Sequence, residues 1–143
     1  MSFAPINRKA PYDRRSVPVD PNSPPTVEQG QILEVDATDG YAKLADGAAV
    51  VGAPLWAWTE SSRPDSSISN SLTVLEAPFV ARVGADGYAG SPAAKDALAV
   101  GTGGNVGKLV VVTVTAVADL QSVVAYCTKP PDADNVIEIK AIR

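Results

Sequence analysis

The amino-acid sequence predicts an all-β protein with a small β-barrel body and an extended, proline-rich N-terminal arm. From Val27 onward, short runs of β-branched and aromatic residues are separated by Gly, Asp, Asn and Pro, which is typical of strands joined by turns. No segment keeps a helical period. Six of the twelve prolines lie in the first 26 residues. We therefore divide the chain into an arm, residues 1–26, and a β-barrel-like body, residues 27–143.

The arm is predicted to be extended because proline removes backbone donors and restricts its neighbours to extended geometry. It has few large apolar side chains, so its own burial does not offset the entropy cost of ordering. We expect it to stay mobile until a partner orders it. The alternative interpretation is a linker or a cloning remnant.

Charge is distributed unevenly along the chain. The arm holds four basic and two acidic side chains, which gives it a charge of +2 and leaves −6 on the body of a chain whose net charge is −4. A mildly basic arm on an acidic body favours contact with an acidic surface, such as another protein. An acidic body does not favour nucleic acid.

The body contains eight predicted strands. They are Gln31 to Val35, Tyr41 to Leu44, Leu55 to Thr59, Ser71 to Leu75, Phe79 to Val83, Lys108 to Val114, Ser122 to Thr128 and Val136 to Ile142.

Two of these strands have distinctive patterns. In the last strand Glu138 and Lys140 share one face, which should be solvated. The strand from Lys108 to Val114, KLVVVTV, is apolar over most of its length, and this pattern predicts a central strand covered on both faces.

A tetrapeptide recurs in the body. Asp39-Gly40-Tyr41-Ala42 is repeated as Asp86-Gly87-Tyr88-Ala89, each copy after a strand. Asp-Gly supplies the positive φ that a tight turn requires, so both copies are predicted to form hairpins at equivalent places in the barrel. Chance recurrence of a turn sequence is the alternative.

The composition argues against an enzyme. The chain has no histidine, which removes the side chain most often used in acid-base chemistry and the commonest metal ligand. Cys127 has no partner for an intramolecular disulfide and is expected to be a buried small hydrophobe. Paired carboxylates can hydrolyse glycosides without histidine, but the sequence places no two of them across a cleft. We expect no catalytic residue, no cofactor and no metal.

Two polar loops resemble ligand-binding sites, but the residues in and after each loop do not fit such a site. The glycine-rich run from Gly101 to Lys108 lacks the Ser or Thr that follows the lysine of a phosphate loop, and it leads into a strand rather than a helix. Asp132, Asp134 and Asn135 are too few for a helical-hand calcium loop. We expect a flexible connection or a bulge at the first loop and a proline-led turn at the second.

Trp56 and Trp58 lie two residues apart on a predicted strand, so they should point to the same face. Such a pair suits a stacking platform for a sugar or base, a subunit interface, or the core. We expect an oligomer interface or a stacking platform here, because these rings and several apolar strands exceed what a small barrel interior hides.

Read in order, the chain resembles bacteriophage capsid decoration (cement) proteins, which sit on the outside of heads built from the HK97-type capsid fold. The resemblance rests on the proline-rich arm followed by GQILEVDATDGYAKLAD, AVVGAPLWAW, APFVARVGADGYAG, KDALAVG and the closing VIEIKAIR. It implies a compact barrel or tulip-like fold, a trimer or another oligomer, and a role in clamping neighbouring capsomers.

The resemblance also implies partners and a location. The partners are the major capsid protein and further copies of this chain, with no nucleic acid and no membrane, and the place is the outer capsid surface of a virion after synthesis in the host cytoplasm. The N-terminus has no signal peptide, and the longest apolar stretch is far below the roughly 20 residues that span a bilayer. The expected capsid contacts in the arm are Phe3, Ile6, Arg8, Lys9, Tyr12, Arg14 and Arg15. The alternative function is a carbohydrate-binding or adhesive virion surface module.

Overall fold

The computed structural model describes residues 3–5, 13–23, 25–36, 38–46, 56–59 and 71–142. Residues 3–5, 13–15, 56, 57 and 76 are described by their backbone. The described residues form eleven strands, two short 3₁₀ turns and one short α-helix, so the predicted all-β class is confirmed.

The strands follow one another along the chain with only one helix between them. In order they are β1 (Phe3–Pro5), β2 (Asp13–Pro18), β3 (Ile32–Val35), β4 (Ala42–Leu44), β5 (Trp56–Thr59), β6 (Ser71–Glu76), β7 (Phe79–Val83), β8 (Ala97–Val100), β9 (Leu109–Val111), α1 (Val117–Ser122), β10 (Val123–Lys129) and β11 (Ile137–Ala141).

The strands form two open sheets rather than the expected barrel. One sheet has the order β1-β7-β11-β10-β8-β9, the other has the order β2-β6-β5-β3-β4, and all neighbouring strands are antiparallel. Among the described residues neither sheet closes on itself, so the barrel prediction is wrong. The chain instead passes from one sheet to the other between β6 and β7 and buries the facing sides of both sheets against each other.

The main core lies between the two sheets. Trp58 of the five-stranded sheet is fully buried and meets Phe79 of the six-stranded sheet edge-on, with ring centroids 5.5 Å apart and an interplanar angle of 86°. Edge-to-face contact is a favoured arrangement for aromatic rings. The same buried cluster includes Ile32 and Leu75 from one sheet and Ile139 from the other.

A second core lies on the opposite face of the five-stranded sheet. Leu33 follows Ile32 on β3 and therefore points the other way, where it is buried with Val74, Val17, Val19 and other apolar residues. Val17 and Val19 belong to the N-terminal arm and are 2 % and 1 % exposed. This part of the arm is therefore built into the body.

Both strands of the arm pair with strands of the same chain. β1 pairs with β7, and β2 pairs with β6 over six residues, from Asp13 opposite Glu76 to Pro18 opposite Ser71. The expected extended backbone is present in these strands, but they complete the sheets instead of projecting freely. The division of the chain at residue 26 stays a prediction.

All eight strands predicted for the body occur, with ends shifted by a few residues. The last strand has the expected alternation, with Ile137 and Ile139 buried and Lys140 exposed. β9 contradicts its predicted central position, because it is only three residues long and lies at a sheet edge. The sequence analysis missed β1, β2, β8 and α1.

The two tetrapeptide copies adopt different structures. In the first copy, Gly40 has a φ of +75°, and hydrogen bonds link Asp36 N–H to the Tyr41 carbonyl and Gly40 N–H to the Asp36 carbonyl. This confirms a hairpin between β3 and β4. In the second copy, residues 85–87 form a 3₁₀ turn, and Tyr88 is buried with its hydroxyl donating to the Asn135 carbonyl at 2.8 Å. The second predicted hairpin is wrong.

Truncations test how much each strand of the arm contributes to the stability of the fold. Deleting residues 1–12 removes a three-residue edge strand and should leave a folded protein. Deleting residues 1–26 also removes β2, Val17 and Val19, whose burial contributes about 3 to 6 kcal/mol at about 1.5 to 3 kcal/mol for each side chain. That loss is a large share of a typical stability of about 5 to 15 kcal/mol. Denaturant unfolding followed by tryptophan fluorescence measures the free energy of unfolding of both truncated proteins. Equal stability of the two truncated proteins would contradict a structural role for β2.

Candidate interaction surfaces

Trp58 does not lie on a surface. It is fully buried between the sheets, so the expectation that it forms an oligomer interface or a stacking platform is wrong. The physical reason is that its face of β5 points at the other sheet rather than at solvent. The backbone of Trp56 pairs with Glu34, and the expectation for its ring, which lies outside the described side chains, stays a prediction.

The predicted capsid-contact residues fall into two groups. Phe3, Arg14 and Arg15 have described backbone, in β1 opposite Val83 and in β2 opposite Leu75 and Val74. A second group lies outside the described residues, and its members are Ile6, Arg8, Lys9 and Tyr12.

The topology brings the two arm strands to the same side of the molecule. β6 and β7 are joined by only Ala77 and Pro78, and they stand next to the edges of their respective sheets. β2 forms the edge beyond β6, and β1 forms the edge beyond β7. Both arm strands therefore flank the corner at which the chain passes between sheets.

An open groove with mixed charge lies on the six-stranded sheet next to the arm. It has a volume of about 340 Å³ and includes side chains from β7, β11 and the turn between β10 and β11. Arg82, which stands opposite Ala4 of β1, lies 3.6 Å from an Asp132 carboxylate oxygen, and Lys129 lies 3.1 Å from Glu138. All of these charges are partly or largely exposed, so each pair contributes little to stability. The groove presents two cations and two anions in alternation to any partner that the arm brings close.

Asp132 shapes the turn below this groove. Its Oδ1 accepts hydrogen bonds from the backbone N–H groups of Asp134 and Val136, at 2.9 and 3.0 Å. The bond from Val136 is the main cause that lowers the pKa of Asp132 below its ordinary value, and Arg82 lowers that pKa further. The predicted turn is therefore present, and its Asp is occupied in holding the backbone.

The glycine-rich loop joins the two sheets. Gly107 N–H donates to the Ala45 carbonyl at 2.7 Å, and the Gly107 carbonyl accepts from Ile32 N–H at 2.8 Å. Gly107 has a φ of +78°, and a Cβ there would meet Leu44 at 2.9 Å, so both backbone and space favour glycine. The loop is thus tied to the other sheet, which contradicts a flexible connection, the first of the two expected alternatives; the second was a bulge.

Cys127 is buried at the inner face of β10, and its thiol donates to the Lys129 carbonyl at 3.2 Å. Burial is the main cause that raises the pKa of this thiol above its ordinary value. A raised pKa leaves little reactive thiolate at neutral pH. The residue therefore has the packing role expected from the sequence.

One ion pair between a buried carboxylate and a half-exposed lysine was not expected from the sequence. Glu34 on β3 is buried, and its Oε1 lies 3.0 Å from Nζ of Lys43 on β4. The hydrogen bond to Glu34 is the main cause that raises the pKa of Lys43. The hairpin register could have revealed this pair from the sequence, because it places a Glu in a buried strand opposite a Lys. This pair fixes the β3–β4 hairpin and gives no sign of catalysis.

No protein-family model and no curated protein matches this chain. Among the described residues, no helix has the length and apolar character needed to cross a bilayer. The same residues include no group of three or more Asp, Glu, His or Cys side chains arranged to hold a metal ion. The surfaces described above are therefore the basis for proposing a function.

The Asp132 turn predicts a pH-dependent difference in Tm between the unchanged protein and Asp132→Ala. The pKa of Asp132 is lower in the folded protein than its ordinary value of 3.8, so its carboxylate stabilises the fold above that pH and loses this effect as pH falls through the lowered pKa. Asp132→Ala should therefore have a lower Tm than the unchanged protein at pH 7, and the two Tm values should converge as pH falls through the lowered pKa of Asp132. Calorimetry across this range provides the measurement. A gap in Tm that is independent of pH would contradict the role of the charge.

Proposed function

We propose that this protein binds the outer surface of a bacteriophage head and stabilises it by clamping neighbouring capsomers, as a homo-oligomer and most simply a trimer. The observation that carries the proposal is the placement of both arm strands at sheet edges on one side of the molecule. In the sequence this arm combines basic and apolar residues, and it is joined to an acidic body. Residues with this arrangement suit binding to another protein rather than catalysis of a reaction.

The arm provides contacts of two kinds. The segment between β1 and β2 contains Ile6 and Tyr12, whose burial against a capsid would supply affinity, and Arg8 and Lys9, which would face acidic capsid groups. Ion pairs at the rim of an interface each contribute about 0.2 to 1 kcal/mol and weaken with salt. Apolar burial by the arm must therefore provide the larger share of the binding free energy.

The body provides position and rigidity. β2 is anchored by buried valines and β1 pairs with β7, so both described strands of the arm have fixed positions on the body. Holding a binding segment near its bound position lowers the entropy cost of binding. This arrangement differs from a wholly mobile 26-residue arm and confines the reach of the protein to capsid groups near the β6–β7 corner.

The carbohydrate-binding alternative would use Trp56, Trp58 or the Ser-rich loop between Glu60 and Ser71. Trp58 is buried in the core and is not available to a sugar, whereas the Trp56 ring and residues 60–70 lie outside the part of the chain that the structure describes. Nothing in the described residues favours sugar binding over protein binding.

A head-binding titration tests the proposal. The reagents are undecorated heads of the phage whose genome encodes this chain, with bound protein measured by co-sedimentation at low and high salt. Deleting residues 1–12 should weaken binding by about tenfold or more, because it removes the apolar contacts. Replacing Arg8 and Lys9 with Gln should weaken binding by only a few fold at low salt and have no effect at high salt.

Lys95→Gln combined with Lys108→Gln is the matched control, because it removes the same charge from residues outside the arm. That control should bind as tightly as the unchanged protein. Failure of the full chain to bind heads at either salt concentration would overturn the proposed function. Full binding by the truncated protein would overturn the role of the arm.

A further inference from the structure

An apolar segment is exposed at the edge of the six-stranded sheet. We define it as residues 111–120, from the end of β9 into α1. Among the described residues, five large apolar side chains are exposed, and four of them lie in this segment: Val111, Val114, Val117 and Leu120. Val117 is 71 % exposed and Leu120 is 52 % exposed. Clustering of this kind marks an interaction surface, whereas single exposed apolar residues do not.

The segment begins on an open strand edge. Val112 N–H donates to the Ala97 carbonyl, which turns the backbone groups of Val112 toward β8 and those of Val111 away from it. On that outer side, Ala89 N–H donates to the Leu109 carbonyl. Beyond Leu109, no described strand pairs with the outer side of β9. An apolar edge strand left open is a template for pairing with another strand.

The segment itself contains almost no charge. From Leu109 to Thr128 the sequence has one charged residue, Asp119. Its Oδ2 accepts hydrogen bonds from the backbone N–H groups of Thr115 and Ala116, both at 3.0 Å, and from the Thr115 hydroxyl at 2.9 Å. This carboxylate is therefore engaged within its own loop, where those bonds lower its pKa.

The segment and the arm occupy opposite edges of one sheet. β1 and β9 are the first and last of six strands, which separates them by about 24 Å at about 4.8 Å between strands. A partner bound at β9 therefore leaves the arm strand at β1 accessible. The molecule has room for two different partners at once.

We propose that the apolar segment is the surface through which copies of this chain associate. The inference deepens the proposed function, on which it rests for the expectation of a homo-oligomer. The body has a charge of −6, so two copies repel each other except where their surfaces are uncharged. A second copy presents the same uncharged apolar segment and the same open edge, and contact buries both. A partner selected by charge would find almost nothing to recognise here.

Light scattering without capsids tests this inference separately from head binding. The unchanged protein should have a mass that is a multiple of 14.7 kDa at micromolar concentration. Val117→Asp and Val117→Lys should each weaken self-association by about tenfold or more, because either charge is desolvated in an apolar contact. Val117 is largely exposed, so neither change should alter Tm at concentrations at which both proteins are monomeric.

The two signs of charge separate apolar contact from general repulsion. If only Val117→Asp dissociated the oligomer, added negative charge would be the cause and the inference would be wrong. Ser23→Asp is the matched control, since it adds the same charge to an exposed turn away from β9 and should leave the mass unchanged. A monomeric unchanged protein, or full association of both Val117 variants, would also overturn the inference. Head binding by a monomeric variant would leave the proposed capsid role intact.

Discussion

The structure depends first on the burial of Trp58 between two sheets. Its ring meets Phe79 edge-on, and this contact joins β5 of one sheet to β7 of the other across the core. The Gly107 loop ties the same two layers from a different side, through hydrogen bonds to Ile32 and Ala45. Aromatic burial sets the spacing of the sheets and the backbone tie sets their alignment, so each edge strand has a defined position relative to the others.

The positions of these edges explain why we propose capsid binding and self-association at different parts of the molecule. Two edges are taken by β1 and β2, both from the N-terminal part of the chain, and they meet at the corner between β6 and β7. The edge at β9 stands at the far end of the six-stranded sheet and continues into the exposed apolar helix α1. An open sandwich provides such edges, whereas a closed barrel removes them. The departure from a barrel therefore leaves sheet edges at separate places, and these are the edges at which we propose that a capsid and further copies of the chain bind.

Polar groups in the described residues serve mainly to shape turns. The carboxylates of Asp36, Asp119 and Asp132 each accept backbone hydrogen bonds in a loop, which lowers the pKa of each. The buried Glu34 pairs with Lys43 within one hairpin. These side chains are held in place by hydrogen bonds or ion pairs within their own segments.

The sequence by itself determined the β class, the approximate extent of eight strands, and the alternation that buries Ile137 and Ile139 while exposing Lys140. These features are local, because strand pattern and turn chemistry are written within a few residues. Only the tertiary structure decided that Trp58 is core, that β2 of the arm completes a sheet, and that the apolar strand β9 lies at an edge. A run of valines looks the same in a covered strand and at an interface, since which strands pair and what covers them depend on residues distant in the chain.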